Sequence, residues 1–313
     1  MLHLKKLSIL LFLLLLPVWL AGCRDQKTVG LCFRQKEEGV TTQFQQSLHA
    51  ALLKNDYRTI NRNAANDQSR QNQQVGVLLE KCDLLVVEPV MTSAAGEILQ
   101  KARSADIPVI FVNFLPETAI LESWEKTCYI GSDMSQPGLL QSQLVQQLPE
   151  GGDINGDGTV AYTVISGPQD HVDAVRWTTD CIMEQNGKLL TQTYGDWSRD
   201  GARAICYRHL AQFGDEVEVI FCQHNMQVQG ALEALESKDV HPGEDVYLVG
   251  IGGDRAALAL IQEGRLTGTV APDISGLTER IAKAAQILLS NGQPEKIQIL
   301  DYQIITKENL EAY

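Results

Sequence analysis

The residues of this chain best suited to chemistry stand together in "GGDINGDGTV", Gly151 to Val160. Asp153, Asn155 and Asp157 follow the spacing D-x-N-x-D-G, with Gly158 at the turn. That spacing places oxygen donors at the first, third and fifth positions of a loop able to wrap a hard divalent cation, calcium above all. Thr159 would add its backbone carbonyl at the seventh position. The ninth is Ala161, which has no donor, and the twelfth, where such a loop closes with a bidentate carboxylate, is Val164. The segment is therefore either a polar turn that binds nothing or a loop closed by a carboxylate from elsewhere in the fold.

The elements around it decide which carboxylate is available. "VGLCF", "LLVVEP", "IPVIFVN" and "TCYIGS" are short apolar runs of the kind buried parallel strands show. Amphipathic stretches such as "TTQFQQSLHAALLKN" and "DQSRQNQQVGVLLEKC" alternate with them. The rhythm restarts after the loop with "VAYTVIS", "LLTQTY", "VEVIFC" and "VYLVGIG", separated by stretches opening near Asp173, Ser198, Asn225 and Asp254. Two βαβ series in succession predict an α/β chain of two doubly wound parallel-sheet domains. In the usual strand order "VAYTVIS" lies beside "VEVIFC". Glu218, at the amino end of the latter, then supplies the missing carboxylate. A cation there sits at the amino ends of the strands, so its role is structural. Ligands of such sheets bind at the opposite, carboxyl ends. The candidate cleft loops are Arg34 to Thr42, Glu88 and Pro89, Asn113 and Phe114, Gly167 to Asp173, Tyr194 to Ser198, Gln223 to Gln227, and Gly252 to Asp254.

The amino terminus reads as an export signal. Lys5 and Lys6 precede the apolar "LSILLFLLLLPVWL", and Leu20-Ala21-Gly22-Cys23 resembles a bacterial lipobox in which Cys23 is acylated. The mature chain is expected on the outer side of the cell membrane, held by a lipid anchor. Net charge is −13, and loss of Lys5 and Lys6 makes it −15. Such an acidic chain repels phosphate backbones, which argues against nucleic acid as a partner. Cys32, Cys82, Cys128, Cys181, Cys206 and Cys222 form no C-x-x-C, and read as small buried thiols. No G-x-S-x-G, H-E-x-x-H or Walker loop is present. "GIGGDR", Gly250 to Arg255, lacks the last glycine of a dinucleotide loop. An enzyme is not expected.

An EF-like loop closed by a distant glutamate, on paired doubly wound sheets, resembles the bacterial galactose/glucose-binding protein family. "NDQSRQNQQVGVLLEKC", "IPVIFVNFLPE", "CYIGSD", "GDINGDGTVAYTVISGPQDHVDA", "GALEAL" and "LTGTV" follow that family in order and spacing over nearly the whole mature chain. The resemblance implies a type I periplasmic binding protein with a three-crossing hinge near Ser132, Asp273 and Tyr302. It implies a signal peptide over 1–23, an N-terminal lobe of 24–132 plus 273–301, and a C-terminal lobe of 133–272 plus 302–313. It also implies a monomer that closes on a galactose- or glucose-like monosaccharide and delivers it to an ABC transporter permease. The alternative is a sensor subunit reporting sugar to a membrane histidine kinase or chemoreceptor. Structural Ca2+ is implied at Asp153, Asn155, Asp157, Thr159 and Glu218, with Ala161 where the family has glutamine.

The sugar pocket follows the family less closely. Asn113, His171, Asp173 and Trp197 stand where the family places sugar contacts. Amides and carboxylates can pair with neighbouring hydroxyls, and an indole can cover a pyranose face. The family's Asp and Phe after the first strand become Glu38 and Val40. Its Arg becomes Trp177, with Arg176 one residue early; its Asn before "GALEAL" becomes His224, its later Asp becomes Gly252, and a late Asn becomes Pro272. Asn225 and Asp254 are the nearby substitutes. Each site residue also has a structural alternative: helix capping for His171 and Asp173, core packing for Trp197, domain surface for Arg176 and Trp177, a hydrogen-bonded core position for His224, and solvent for Glu38.

Overall fold

Twelve strands among the described residues form two six-stranded sheets, and the chain passes between the sheets three times. The computed structural model describes residues 26–35, 39–180 and 186–313. The expected signal with Cys23, and also Glu38 and Cys181, lie outside the described residues.

The first sheet contains β1 (Thr28–Phe33), β2 (Arg58–Asn63), β3 (Leu84–Val87), β4 (Val109–Val112), β5 (Thr127–Ser132) and β11 (Ile297–Leu300) in the order β11-β5-β4-β3-β1-β2. All its pairings are parallel. Every residue of β1, β3 and β4 is buried, which is why these strands read as unbroken apolar runs. One face is covered by α1 (Gly39–Lys54) and α10 (Ile274–Leu289), whose Phe44, Leu48, Leu52, Ile281 and Leu288 close a core over Leu31, Val86 and Ile110. The other face carries α2 (Gln68–Leu79), α3 (Ala95–Ser104) and the short α4 (Thr118–Glu122), which pack Val75, Leu78, Ile98 and Leu121 on Leu85 and Phe111. Asp67 starts α2 by accepting the Arg70 N–H at 3.0 Å.

The second sheet contains β6 (Val160–Ser166), β7 (Gly187–Tyr194), β8 (Val219–Cys222), β9 (Tyr247–Ile251), β10 (Gly268–Pro272) and β12 (Tyr302–Thr306) in the order β12-β10-β9-β8-β6-β7. Only β12 runs antiparallel. Its helices are α5 (Pro137–Gln146), α6 (Val172–Asp180), α7 (Arg199–Phe213), α8 (Asn225–Glu236) and α9 (Arg255–Gln262).

The three passages leave the carboxyl ends of β5, β10 and β11, so those ends of the two sheets face one another. Hydrogen bonds tie the first passage to the last. Asp133 N–H donates to Leu300 O at 3.0 Å, Gln136 Nε2 to Asp301 Oδ1 at 2.6 Å, and Tyr302 N–H to Gln136 Oε1 at 2.8 Å. Five cysteines, Cys32, Cys82, Cys128, Cys206 and Cys222, are free and buried. Burial pushes the thiols of Cys32, Cys128 and Cys206 up to about 12, which leaves them protonated and unreactive at neutral pH. Among the described residues no helix is long and apolar enough to cross a membrane.

Candidate functional site

The carboxyl ends of β6, β7 and β8 build an aromatic wall around Trp197. Gly167, directly after β6, makes room for the indole: a Cβ there would lie 2.1 Å from Trp197 Cη2. The ring of His171 meets the indole edge-on at 5.4 Å, and His224 lies tilted at 5.7 Å. Both imidazoles also cap helices. Ala174 N–H donates to His171 Nδ1 at 3.4 Å at the start of α6, and Met226 N–H donates to His224 Nδ1 at 3.2 Å at the start of α8. A capping nitrogen must be unprotonated, so these contacts favour the tautomer with hydrogen on Nε2. The capping read from the sequence is thus observed at His171, on the loop that follows β6.

Two buried glutamines fix this wall. Gln223 Oε1 accepts the Gly167 N–H at 2.9 Å, while its Nε2 donates to Thr178 Oγ1 and Ala174 O. Gln227 Nε2 donates to Ser166 O and Asp196 O. Loops from three strands and α6 are thereby bonded to one helix end. Asn225 follows His224, is 5% exposed, and its Oδ1 has no hydrogen-bond partner among the described residues.

The opposite wall comes from the first sheet. Asn113, at φ 63°, turns sharply off β4 in the left-handed region that asparagine tolerates. Its Nδ2 donates to Glu88 Oε1 at 3.0 Å and its carbonyl accepts Tyr129 Oη at 3.0 Å. Glu88, just past β3, is 6% exposed, and its Oε2 accepts the Arg34 N–H at 3.3 Å. Burial raises the Glu88 carboxyl, opposed by the bonds from Asn113 and Arg34. The Arg34 guanidinium lies 5.0 Å over the Phe114 ring and donates to Asn66 Oδ1, which draws the ends of β1, β2 and β4 together.

His171, Trp197 and His224 are thus brought together, with Asn225 beside them on the same wall and Asn113 on the facing one. Asp254 stands at the end of β9 with its Oδ1 accepting the Ala257 N–H, as the cap of α9. Asp173 lies in the first turn of α6, and its side chain is not among those described. Trp177 is buried and does not lie on the domain surface. It is 7% exposed, and its indole N–H donates to Met134 O at 2.9 Å, on the first passage between the sheets. Arg176, its neighbour, is exposed. Glu88, Arg34 and Phe114 lie on loops that strand spacing located, but their side chains had no assigned role. A charged residue directly after an all-apolar strand run was the available signal for Glu88.

At the other end of the second sheet the 153–159 loop folds on itself. Asp153 Oδ1 accepts the Gly156 N–H at 2.7 Å, Asp153 Oδ2 the Gly158 N–H at 2.8 Å, and Asn155 Oδ1 the Asp157 N–H at 2.8 Å. Glu218 is 2% exposed and reaches this loop from the neighbouring strand. Its Oε1 accepts the N–H groups of Ile154 at 2.8 Å and Asn155 at 3.0 Å, and its Oε2 that of Ala161 at 2.7 Å. No lysine or arginine pairs with it among the described residues, and Lys188 close by is paired with Glu216. Among the described residues no three His, Cys, Asp or Glu side chains converge as a metal cluster. The carboxylates of Asp153, Asp157 and Glu218 thus bond to the loop's own amides and stand apart, and Lys188 also acts electrostatically on Asp157. The oxygen donors, carboxylates with one amide oxygen and a peptide carbonyl, have the chemistry that suits a hard divalent cation.

Residues 29–294 match the family described as periplasmic binding protein domain. The chain belongs to this family. The D-galactose/methyl-galactoside binding periplasmic protein of Haemophilus influenzae is 33% identical over 233 residues, 71% of this chain and 67% of that protein. The ribose import binding protein of Bacillus subtilis is 23% identical over 281 residues, 88% of this chain and 86% of that one. An ABC transporter solute binding protein from Bacillus halodurans C-125 with bound myo-inositol superposes with a TM-score of 0.69 at 24% identity, covering 93% of this chain and 98% of its own. A periplasmic solute binding protein from Actinobacillus succinogenes 130z with bound D-allose gives 0.76 at 16%, covering 92% and 100%. Both solved structures share the periplasmic binding protein fold of paired α/β sheets.

Proposed function

We propose that this binding protein is exported, lipid-anchored at Cys23, and closes on a monosaccharide that it delivers to an ABC transporter permease. The observation that carries this reading is the wall of His171, Trp197 and His224 at the strand ends, facing Asn113 and Glu88. An indole offers an apolar face to the C–H groups of a sugar ring, and the imidazoles and amides around it serve the hydroxyls. The names of relatives support the solute class and the transporter, since they include proteins for galactose, ribose and xylitol. Galactose and glucose are the first ligands expected. The positive start, apolar run and Leu-Ala-Gly-Cys of residues 1–23 support the anchor.

Binding energy goes into closure. Ligand contacts made to both walls at once favour the closed arrangement over the open one, and the bonded passages at Asp133, Gln136 and Asp301 guide the movement. A calcium ion is proposed at Asp153, Asn155, Asp157, Thr159 and Glu218. When bound it would neutralise the loop carboxylates and brace the amino ends of β6 and β8, far from the ligand. Glu218 holds the loop by its amides, and Gly158 supplies the turn at φ 88°. The test is thermal unfolding of residues 24–313 in calcium against hexoses, pentoses, inositols and sugar acids. A ligand at 100 times its Kd adds about 2.7 kcal/mol, and a raised midpoint with one sugar is expected. No response to any sugar overturns the sugar reading.

A further inference from the structure

Glu88 follows the buried apolar run of β3 directly and is itself only 6% exposed. Its peptide groups are both engaged inside the wall: the N–H donates to Cys32 O at 3.0 Å, and the carbonyl accepts Gln71 Nε2 at 2.7 Å. What this strand end offers to the cleft is therefore the carboxylate. It accepts one amide N–H from Asn113 at 3.0 Å and one peptide N–H from Arg34 at 3.3 Å. A carboxylate has room for about four such bonds, so half of its capacity is unused among the described residues. Beside it, Asn113 turns Nδ2 to Glu88, and its Oδ1 has no partner among the described residues and is not closed to solvent. No ion pair to Glu88 forms among the described residues. Arg34 acts on it only at a distance, because its guanidinium is held over the Phe114 ring at 5.0 Å and by Asn66 Oδ1 at 3.0 Å.

A buried charge without an opposite charge costs stability, and bonds from neutral donors lessen that cost without removing it. The facing wall supplies no cation either. His171 and His224 each accept a peptide N–H on Nδ1, at 3.4 and 3.2 Å, so neither ring is protonated there. The indole of Trp197 between them has an electron-rich face, which attracts positive charge. Asp254 at the end of β9 is a further acid, and the chain as a whole carries −13, a field that draws cations inward. We propose that the ligand of this cleft is an amino-bearing monosaccharide or polyol, whose ammonium group pairs with Glu88. The proposal rests on the sugar-binding reading and narrows it to a charged subclass. An ammonium has three donors and no acceptor. The unused lone pairs of Glu88 and the open Oδ1 of Asn113 are acceptors standing side by side, and they match it. A hydroxyl in the same place satisfies one lone pair and leaves the charge unpaired.

The experiment measures Kd by calorimetry at about pH 7, where amines of this kind are mostly charged. The ligands are D-galactosamine, D-glucosamine, their isomers with the amine moved round the ring, and an amino-inositol, each against its hydroxyl parent. In the wild type, one of the amines is expected to bind about tenfold or more tightly than its parent. Glu88→Gln, which keeps the shape and removes the charge, should bring that ratio within about threefold. Glu88→Asp, which keeps the charge, should retain part of the preference. The ratio is the decisive reading, since a merely structural loss weakens both members of a pair alike. Parents that bind as well as every amine overturn the proposal and leave the sugar reading standing. A preference that survives in Glu88→Gln, or that Glu88→Asp loses as fully as Glu88→Gln, overturns the assignment to the Glu88 charge. A wild type that binds neither amines nor parents overturns the proposal together with the sugar reading. The wild-type comparison holds whether or not a variant folds.

Discussion

Replacing Glu218 separates the folding role of its carboxylate from the proposed ionic one. The group is 2% exposed and accepts three peptide N–H bonds, at 2.8, 3.0 and 2.7 Å. Bonds to a charged acceptor contribute about 1.5–3 kcal/mol each, but three on one carboxylate share a single desolvation cost and do not add. Glu218→Ala leaves three peptide groups unpaired, and a loss of about 3–5 kcal/mol is expected even with calcium chelated. That is a large share of the roughly 5–15 kcal/mol available to a folded domain. Calcium at 100 times its Kd then adds about 2.7 kcal/mol to the wild type and far less to either Glu218→Ala or Glu218→Gln. Urea unfolding followed by circular dichroism, in chelator and in calcium, reads both parts. A loss below about 1 kcal/mol in chelator refutes the argument from the three bonds. Equal calcium increments in the wild type and Glu218→Gln refute the ion site and leave the loop as a self-bonded turn.

Three further outcomes are expected. Gly167→Ala places a methyl 2.1 Å from Trp197 Cη2, so the indole must tilt; overpacking of this kind costs about 1–3 kcal/mol, and calorimetry with the identified sugar should show weaker binding, an unchanged Kd counting against Trp197 as the platform. His209 is 3% exposed, shares a 2.9 Å bond with Thr193 Oγ1 through Nε2, and its Nδ1 has no partner among the described residues; burial, and secondarily Arg208, lowers its pKa to about 4. Because the unfolded chain then binds the extra proton first, stability is full above the ordinary histidine value of 6.5 and falls as pH drops towards 4, by about 2 kcal/mol between pH 7 and 5. Thermal midpoints of the wild type and His209→Leu across that range should differ in slope, and parallel curves would refute the assignment. Trp177→Phe removes the bond to Met134 O and should lower the midpoint by a few degrees while changing Kd less than about threefold. A tenfold loss of affinity would refute this and give Trp177 a part in ligand binding.

The fold was legible because its central strands are buried on both faces and so are written as unbroken apolar runs, as in "LLVVEP" and "VYLVGIG". β2 escaped the same reading for the opposite reason. It is an edge strand, "RTINRN", exposed or half-buried throughout, and no apolar pattern is required of it. The loop around Asp153 was legible because calcium-type spacing constrains consecutive residues, and Glu218 followed from placing "VAYTVIS" beside "VEVIFC", the pairing observed between β6 and β8.

The cleft obeys a different logic, which explains what spacing left open. Strand ends name the loops, but a side chain's role there depends on a partner far away in sequence. Trp177 and Trp197 are both flanked by polar residues. What separates them is the Met134 carbonyl for one and the bare Cα of Gly167 for the other. Asn225 is an ordinary helix-start residue until Gly252, 27 positions on, is seen to leave room for its amide. Each pair joins a side chain to a glycine whose missing Cβ makes its room, so a methyl added at Gly252, as at Gly167, must displace its partner. Gly252→Ala is therefore expected to cost about 1–3 kcal/mol in thermal unfolding, and an unchanged midpoint would refute the steric argument.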